Sequence, residues 1–122
     1  MISNHTLIVG SIGLDTIETI SDRKESILGG SATYATISAG KSSSVHLVGI
    51  VGSDFPVEGI NIFKENTVDL SNLDQIEGKT FSWGARYAED WNNRETLFTE
   101  FGVFSDFNPI LKEQNKNVSV VF

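Results

Sequence analysis

The residues best placed for chemistry are an aspartate and a pair of glycines in the first quarter of the chain. Asp15 follows the apolar run at residues 7–10, which is typical of a buried strand. Open α/β sheets bind ligands at the carboxyl ends of their strands, and a carboxylate there can accept hydrogen bonds from two adjacent hydroxyls. Gly29 and Gly30 precede a predicted helix, where bare backbone amides can approach a ligand. Taken singly, each also fits an ordinary structural role, Asp15 in a turn and the glycines in a bend.

A second motif, at residues 35–42, fits a relaxed phosphate-loop pattern with alanine in place of the first glycine. Such a loop needs a strand before it and a helix directly after its Lys-Ser pair, so that the amides and the helix dipole meet the phosphates. Here the preceding residues are predicted to be helical, and a strand follows at Val45. We therefore expect Lys41 to lie at a helix C-terminus, where a cation is favourable. This order, with a helix before the Lys-Ser pair and a strand after it, disfavours a nucleotide-binding loop.

Composition excludes several classes of protein. The 122 residues carry a formal charge of −7, and their Lys and Arg are dispersed along the chain without a basic stripe, so no nucleic-acid partner is expected. No apolar run approaches the ~18 residues of a membrane span, and no signal peptide is recognised, so a cytoplasmic location is expected. The absence of cysteine excludes thiolate metal sites. His5 and His46 are far apart in sequence and lack neighbouring carboxylates, so no metal site is predicted.

The predicted order of elements around these residues is a strand, a hairpin, a helix, a strand, a second helix, a strand, a second hairpin and a last strand. Strands are predicted over residues 7–10, 14–20, 23–28, 45–51, 70–76, 79–88, 96–103 and 118–122, and helices over residues 30–40 and after Pro56. Ser31 is the expected N-cap of the first helix and Gly40 its C-cap. This order predicts an α/β sheet with a separate small β-lid. The last strand is of the buried type, which indicates an incomplete sheet.

A series of segments, in order along nearly the whole chain, resembles the N-terminal portion of the ribokinase-like (PfkB) carbohydrate kinases. The segments are Leu-Ile-Val-Gly-Ser-Ile-Gly-Leu-Asp at 7–15, Leu-Gly-Gly-Ser-Ala-Thr-Tyr-Ala at 28–35 and Val-Gly-Ile-Val-Gly-Ser-Asp at 48–54. Residues 78–86, 94–97 and 108–109 further resemble a branch of unassigned sugar kinases in that family. The resemblance implies that residues 1–122 form the first part of a kinase domain. It also implies an incomplete α/β/α sandwich with lid strands near 14–28 and 79–103.

The resemblance assigns roles to the residues singled out above. It implies that Asp15 binds sugar hydroxyls and that Gly29 and Gly30 supply backbone contacts. Tyr34 stands where the family usually has an asparagine on the sugar, and a phenol can both donate and accept hydrogen bonds. The substitution puts the usual sugar pose in doubt, and Tyr34 also fits a helix residue packed under the lid.

The lid strands add further candidates. Phe81, Trp83 and Tyr87 alternate on one face of a predicted strand, forming an apolar surface that could cover a sugar or meet a second subunit. Arg86 lies on the other side of the strand by its period of two. It could reach the ligand or form only a solvent-exposed salt bridge. Ordinary packing within the lid is the simplest role for all of these side chains.

The catalytic end implied by the resemblance is missing from the sequence. Kinases of this family carry their catalytic aspartate in a late Gly-Ala-Gly-Asp segment, and the 122 residues contain none. The complete enzyme would transfer the ATP γ-phosphate, with Mg²⁺, to a hydroxymethyl group of a sugar or nucleoside. We expect this chain to hold the acceptor site and lid, to bind ATP and Mg²⁺ weakly at most, and to be inactive alone. The alternative is a non-catalytic module that binds a polyol or forms a homodimer through its lid strands.

Overall fold

The computed structural model describes residues 5–90, 92–111, 118 and 120–122. Its strands are β1 (His5–Val9), β2 (Gly13–Glu18), β3 (Arg23–Gly29), β4 (Ser44–Gly52), β5 (Asp69–Ile76), β6 (Phe81–Tyr87), β7 (Arg94–Glu100) and β8 (Val120–Val121). Its helices are α1 (Ser31–Ala39), α2 (Val57–Glu65) and a short 3₁₀ helix (Gly102–Asp106). No helix in these described segments has the length and apolar character needed to cross a bilayer.

The main sheet is parallel, with the strand order β5-β4-β1-β8. Strand β4 is buried at nearly every position because its residues are almost all apolar or glycine, the composition of a strand covered on both faces. The core clusters around it and includes Ile8 of β1, Leu47 of β4 and Phe63 of α2. Parallel pairing brings the carboxyl ends of these strands to one edge and their amino ends to the other.

A second sheet, which we call the lid sheet, has the strand order β3-β2-β6-β7. Strand β2 pairs antiparallel with β3 and parallel with β6, and this places Asp15 between Ile27 and Trp83. Sheet and helices together confirm the predicted α/β class, and the lid sheet is separate from the main sheet as expected. The chain enters the lid sheet after β1 and leaves it through Gly29 and Gly30 into α1.

Several details of the predicted elements are wrong. The strand predicted over 96–103 ends at Glu100, and the 3₁₀ helix begins at Gly102. Gly30, not Ser31, is the N-cap of α1, and no side chain caps this end; Gly40 is the C-cap as predicted. The predicted buried strand at 118–122 is regular only over Val120–Val121, with residue 119 outside the described part of the chain. Val120 and Val121 are 52 % and 66 % exposed. They are exposed because β8 is the outermost strand and pairs with β1 alone within the described segments.

Candidate functional site

Asp15 is a half-buried carboxylate on β2. Its oxygens receive no hydrogen bond and form no ion pair with any side chain or backbone amide of the described residues. Burial raises the pKa of Asp15 above its ordinary value because the charged form is less well solvated there. The acceptor capacity of this carboxylate is therefore open to a ligand that can donate hydrogen bonds.

The two glycines are required by the close approach of their neighbours. A Cβ atom on Gly29 would overlap the Asp15 carboxylate, whose Cγ would lie 2.7 Å away. Gly30 has φ 96°, in the region that side chains disfavour, and a Cβ atom there would overlap the Ser11 carbonyl oxygen. The glycine pair thus lets the chain bend into α1 while Asp15 lies directly against it.

Ser11 anchors this bend, a role that the sequence patterns did not identify. Its carbonyl oxygen accepts a hydrogen bond from the Ala32 amide at 2.9 Å, and its Oγ accepts one from the Ser31 amide at 3.1 Å. Ser11 Oγ also lies 3.2 Å from Ser31 Oγ. Two of the amides at the start of α1 are therefore bonded by the loop after β1. The only sequence signal for this role is the position of Ser11 between Gly10 and Gly13.

A cavity of about 240 Å³ brings most of the predicted site residues together. Its lining comprises Asp15, Gly30, Ser31, Tyr34, Phe81 and Trp83. Gly29 lies behind the carboxylate, as described above. The cavity opens between the lid sheet and the start of α1, with one carboxylate among three aromatic rings. Such a surface can bind hydroxyls at one side and cover an apolar ring face at the other.

Two of the three aromatic residues of the cavity, Phe81 and Trp83, pack against other side chains. The Phe81 ring lies 5.8 Å from that of Phe101 and 5.6 Å from that of Phe104, measured between ring centroids. The Arg94 guanidinium lies 5.3 Å from the Trp83 ring centroid, a cation–π distance. Tyr34 is 60 % exposed on α1. The two lid aromatics are thus supported by neighbours, whereas the Tyr34 side chain is largely in solvent.

Arg86 lies outside this cavity. Its guanidinium pairs with Glu18 at 3.3 Å and with Glu95 at 3.8 Å, and both contacts are partly exposed. Arg86 and Tyr87 instead border a larger cavity of about 500 Å³ at the other end of the lid strands. The Glu18 and Glu95 carboxylates that border it are already occupied by Arg86, so we favour the smaller cavity, whose carboxylate is open. The salt bridge that the sequence allowed for Arg86 is present in the structure.

His5 and His46 meet at the opposite, amino end of the main sheet. His5 Nδ1 lies 3.0 Å from His46 Nε2, and His46 Nδ1 lies 3.4 Å from Asp69 Oδ2. The two histidines are far apart in sequence, and they meet each other and Asp69 because parallel pairing places β1, β4 and β5 side by side. The three side chains form a line, and no three His, Asp or Glu side chains in the described part of the chain are grouped so that they could hold a metal ion.

Asp69 is a well-partnered carboxylate. Its Oδ1 accepts a hydrogen bond from the Ser71 hydroxyl at 2.5 Å and another from the Ser71 amide at 2.8 Å. The Ser71 hydroxyl, aided by the Ser71 amide and by His46, holds the pKa of Asp69 below its ordinary value. This arrangement joins the start of β5 to β4.

Lys41 lies where the sequence pattern places it. Helix α1 ends at Ala39, and Lys41 is in the turn that leads to β4. The Lys41 amide donates to the Ser38 carbonyl at 3.4 Å, and the Ser42 amide donates to the Ala39 carbonyl at 3.1 Å. A strand, not a helix, follows the Lys-Ser pair, so the backbone geometry of a phosphate loop is absent at this position.

No family model and no curated protein matches the chain. Solved structures do match. A nucleoside kinase of Methanocaldococcus jannaschii, described as an archaeal member of the ribokinase family, superposes with a TM-score of 0.79 at 23 % identity, over 97 % of this chain and 43 % of its own. A ribokinase of Cryptococcus neoformans in complex with ADP gives a TM-score of 0.72 at 16 % identity, over 82 % of this chain and 35 % of its own. A nucleoside kinase of Burkholderia thailandensis in complex with inosine gives 0.69 at 16 % identity, over 83 % and 38 %.

These matches concern backbone architecture, because every identity is below a quarter. The chain spans less than half the length of each of these solved kinases. The chain therefore has a partial ribokinase-like α/β fold.

Proposed function

We propose that this chain forms the acceptor-binding and lid part of an ATP-dependent carbohydrate kinase of the ribokinase type. The complete enzyme would transfer the γ-phosphate to a hydroxymethyl group of a sugar or nucleoside. The observation that carries the proposal is the open carboxylate of Asp15 inside a cavity shared by Gly30 and the lid aromatics. The fold supports it, since the solved structures that share this architecture include sugar and nucleoside kinases.

Each residue of the cavity has a role in this proposal. Asp15 accepts hydrogen bonds from two adjacent hydroxyls of the acceptor, and Gly30 lets the ligand approach the backbone. Gly29, behind the carboxylate, leaves the space that Asp15 occupies. Phe81 and Trp83 cover the apolar face of the ring. Tyr34 provides a hydroxyl at the rim, where the family that the sequence resembles has an asparagine.

The cavity favours a ligand that combines a vicinal diol with a flat apolar face. A furanose, a pyranose and the ribose of a nucleoside all meet this description. A nucleoside would in addition offer its base to the aromatic rings, and the Burkholderia thailandensis enzyme of the same fold has been solved with inosine. The substrate class proposed is therefore a sugar or nucleoside with free adjacent hydroxyls.

ATP and Mg²⁺ are proposed as cofactors of the complete kinase, and tight binding of either by these 122 residues is not expected. The described residues hold no group of three His, Asp or Glu side chains suited to a metal ion, and the sequence contains no Gly-Ala-Gly-Asp segment. The proposal assigns none of the described residues to a nucleotide site or to phosphoryl transfer. We expect the 122 residues alone to bind the acceptor without phosphorylating it. A cytoplasmic location is part of the same proposal.

The second candidate function is a non-catalytic module that binds a polyol or forms a homodimer. The observation that favours it is the pairing of the lid sheet, in which β3 and β7 each have only one neighbouring strand in the described part of the chain. An unpaired strand edge can add a strand from another molecule. A stable dimer through the lid strands, with sugar binding retained, would support this candidate.

Titration of Trp83 fluorescence tests the proposal. The sequence has two tryptophans, Trp83 and Trp91, so Trp91→Phe leaves Trp83 as the only reporter beside Asp15. This variant is titrated with ribose, fructose and inosine, and the expected result is a saturable change with at least one of them. Asp15→Asn should weaken that binding, and Asp69→Asn, which alters a carboxylate on the main sheet, should not. Absence of saturable binding to all three, or equal binding by Asp15→Asn, would overturn the proposal.

A further inference from the structure

The turn after β4, Gly52-Ser53-Asp54, is a sequence feature that the proposed site does not use. Asp54 Oδ1 accepts two hydrogen bonds from Thr80, one from its amide at 2.8 Å and one from its hydroxyl at 2.6 Å. The same hydroxyl accepts a hydrogen bond from the Gly52 amide at 2.9 Å. Thr80 is only 2 % exposed. A buried hydroxyl thus links the carboxyl end of β4 to the residue directly before lid strand β6.

Residues 78 and 79, directly before Thr80, form further hydrogen bonds with the turn after β4 and with the 3₁₀ helix. The Gly78 carbonyl accepts hydrogen bonds from the Ser53 amide at 3.0 Å and from the Ser53 hydroxyl at 3.2 Å. The Lys79 carbonyl accepts one from the Val103 amide, in the 3₁₀ helix, at 2.8 Å. A Cβ atom on Gly52 would lie 2.6 Å from the Thr80 nitrogen, so the two segments are in direct contact. The start of β6 therefore has little freedom to shift.

The position of Thr80 determines where the lid aromatics lie relative to Asp15. Strand β6 pairs with β2 so that Phe81 lies opposite Gly13 and Trp83 lies opposite Asp15. A Cβ atom on Gly13 would come within 2.7 Å of the Phe81 ring, so Phe81 is packed directly onto β2. A movement of residue 80 would be transmitted to both rings through the strand.

We infer that Asp54 and Thr80 are positioning residues, which fix the start of β6 and so hold Phe81 and Trp83 at the Asp15 cavity. The inference rests on the proposed function for its consequence in ligand binding. The linkage itself is independent of any ligand. A Thr80 side chain without its hydroxyl leaves the buried Gly52 amide without its partner and removes one of the two hydrogen bonds that Thr80 donates to Asp54. A buried amide left in this way is costly.

Four substitutions test the hydrogen bonds between Asp54 and Thr80 by removing the groups that form them in part or completely. Thr80→Ser keeps the hydroxyl and Thr80→Val removes it with little change of shape. Asp54→Asn keeps an acceptor oxygen without its charge, and Asp54→Ala removes the acceptor. Hydrogen exchange of the backbone amides and the emission of Trp83, both measured in the Trp91→Phe background without ligand, report on β6 directly.

We expect Thr80→Val and Asp54→Ala to speed exchange of the Thr80 and early β6 amides by about tenfold, the effect of losing one or two hydrogen bonds. They should also shift the Trp83 emission towards longer wavelength. Thr80→Ser should match the parent, Asp54→Asn should be intermediate, and the β1 amides should be unchanged in all four. The affinity for the compound that binds the parent (ribose, fructose or inosine) should be lowest in Thr80→Val and Asp54→Ala. It should be intermediate in Asp54→Asn and unchanged in Thr80→Ser.

The outcomes separate this inference from the proposed function. Unchanged exchange and emission in Thr80→Val and Asp54→Ala would overturn the inference, as would a loss in Thr80→Ser equal to that in Thr80→Val. Altered exchange with unchanged ligand affinity would also overturn it, since the aromatics would then not be positioned for binding. If the parent binds none of the three compounds, the proposed function fails, and the exchange and emission data decide the linkage by themselves.

Discussion

Two carboxylates, Asp15 on the lid sheet and Asp69 on the main sheet, lie in opposite electrostatic surroundings. Asp15, beyond the carboxyl end of β1, has no hydrogen-bond donor among the described residues, and burial raises its pKa. Asp69, at the amino end of β5, accepts two hydrogen bonds from Ser71 and lies beside His46, and its pKa is lowered, chiefly by the Ser71 hydroxyl.

The difference separates a carboxylate that stabilises the fold from one that is available to a ligand. Folding favours the charged form of Asp69, because its hydrogen-bond partners stabilise the charge. Folding disfavours the charged form of Asp15, because burial desolvates it and none of the described residues donates a hydrogen bond to it. A half-buried acceptor without partners, next to a cavity, is a candidate for function on physical grounds.

The largest expected effect comes from Gly29→Ala, which removes the space that the Asp15 carboxylate occupies. We expect the free energy of unfolding to fall by about 1–3 kcal/mol, the usual cost of overpacking, and ligand binding to be lost. Urea unfolding and the Trp83 titration measure the two effects. In the double variant Asp15→Ala/Gly29→Ala the overlap is gone, so stability should return without binding. A double variant as unstable as Gly29→Ala would show that the carboxylate is not the obstacle.

Asp15→Asn should separate binding from stability. Hydrogen bonds to a charged group contribute about 1.5–3 kcal/mol, so we expect affinity for the acceptor to fall by about ten- to a hundredfold. The free energy of unfolding at neutral pH should not decrease, because the charged form of Asp15 is the unfavourable one in the folded chain. A marked loss of stability in this variant would mean that the carboxylate has a structural partner after all.

The two carboxylates should give opposite dependences of stability on pH. The folded pKa of Asp15 is raised above its ordinary value of 3.8, so its favourable contribution is fully present below that value and is lost as pH rises through the folded pKa. The folded pKa of Asp69 is lowered, so its contribution is present above 3.8 and is lost as pH falls through the folded pKa. Unfolding curves of Asp15→Asn and Asp69→Asn across the acid range should therefore deviate from the parent in opposite senses.

Asp69→Asn should have a small effect on stability and none on binding. The Asp69 side chain is partly exposed, so solvent screens its contacts, and we expect a loss below about 1 kcal/mol at neutral pH. Unfolding in urea measures the loss, and the ligand titration is the control. A change of affinity in this variant would erase the distinction between the two carboxylates.

Arg86→Ala should have the smallest effect. The ion pairs of Arg86 with Glu18 and Glu95 are exposed, and such pairs contribute about 0–1 kcal/mol. Affinity for the acceptor should be unchanged because Arg86 lies outside the Asp15 cavity. A weakened affinity would place the binding site in the larger cavity at the other end of the lid strands.

Local patterns predicted the elements of this fold well. The apolar runs that include Leu7 and Val45 indicated β1 and β4, since a continuous apolar run suits a strand covered on both faces. The alternation of Phe81 and Trp83 indicated that both lie on one side of β6, and the structure has both in the Asp15 cavity. The N-cap of α1 was missed because the backbone bend at Gly30 and the hydrogen bonds from Ser31 and Ala32 to Ser11 replace a side-chain cap.

The contacts between elements could not be predicted in the same way. His5 meets His46 across 41 positions of sequence, and Asp54 meets Thr80 across 26. No short-range pattern marks either pair, because each depends on which strands lie side by side and on the turn that returns the chain. The salt bridge of Arg86 to Glu18 likewise depends on the pairing of β2 with β6.

The α/β class, most of the strands, both α-helices, and the aspartate, glycine and aromatic residues that line the candidate cavity were predictable from the sequence. Those features depend on periodicity and backbone freedom, which act over a few residues. The packing of the elements was needed to show that Asp15 has no hydrogen-bond donor among the described residues, that Asp69 has partners, and that Arg86 pairs with carboxylates outside the Asp15 cavity. Those outcomes depend on burial and on partners distant in sequence, which exist only once the sheets have formed.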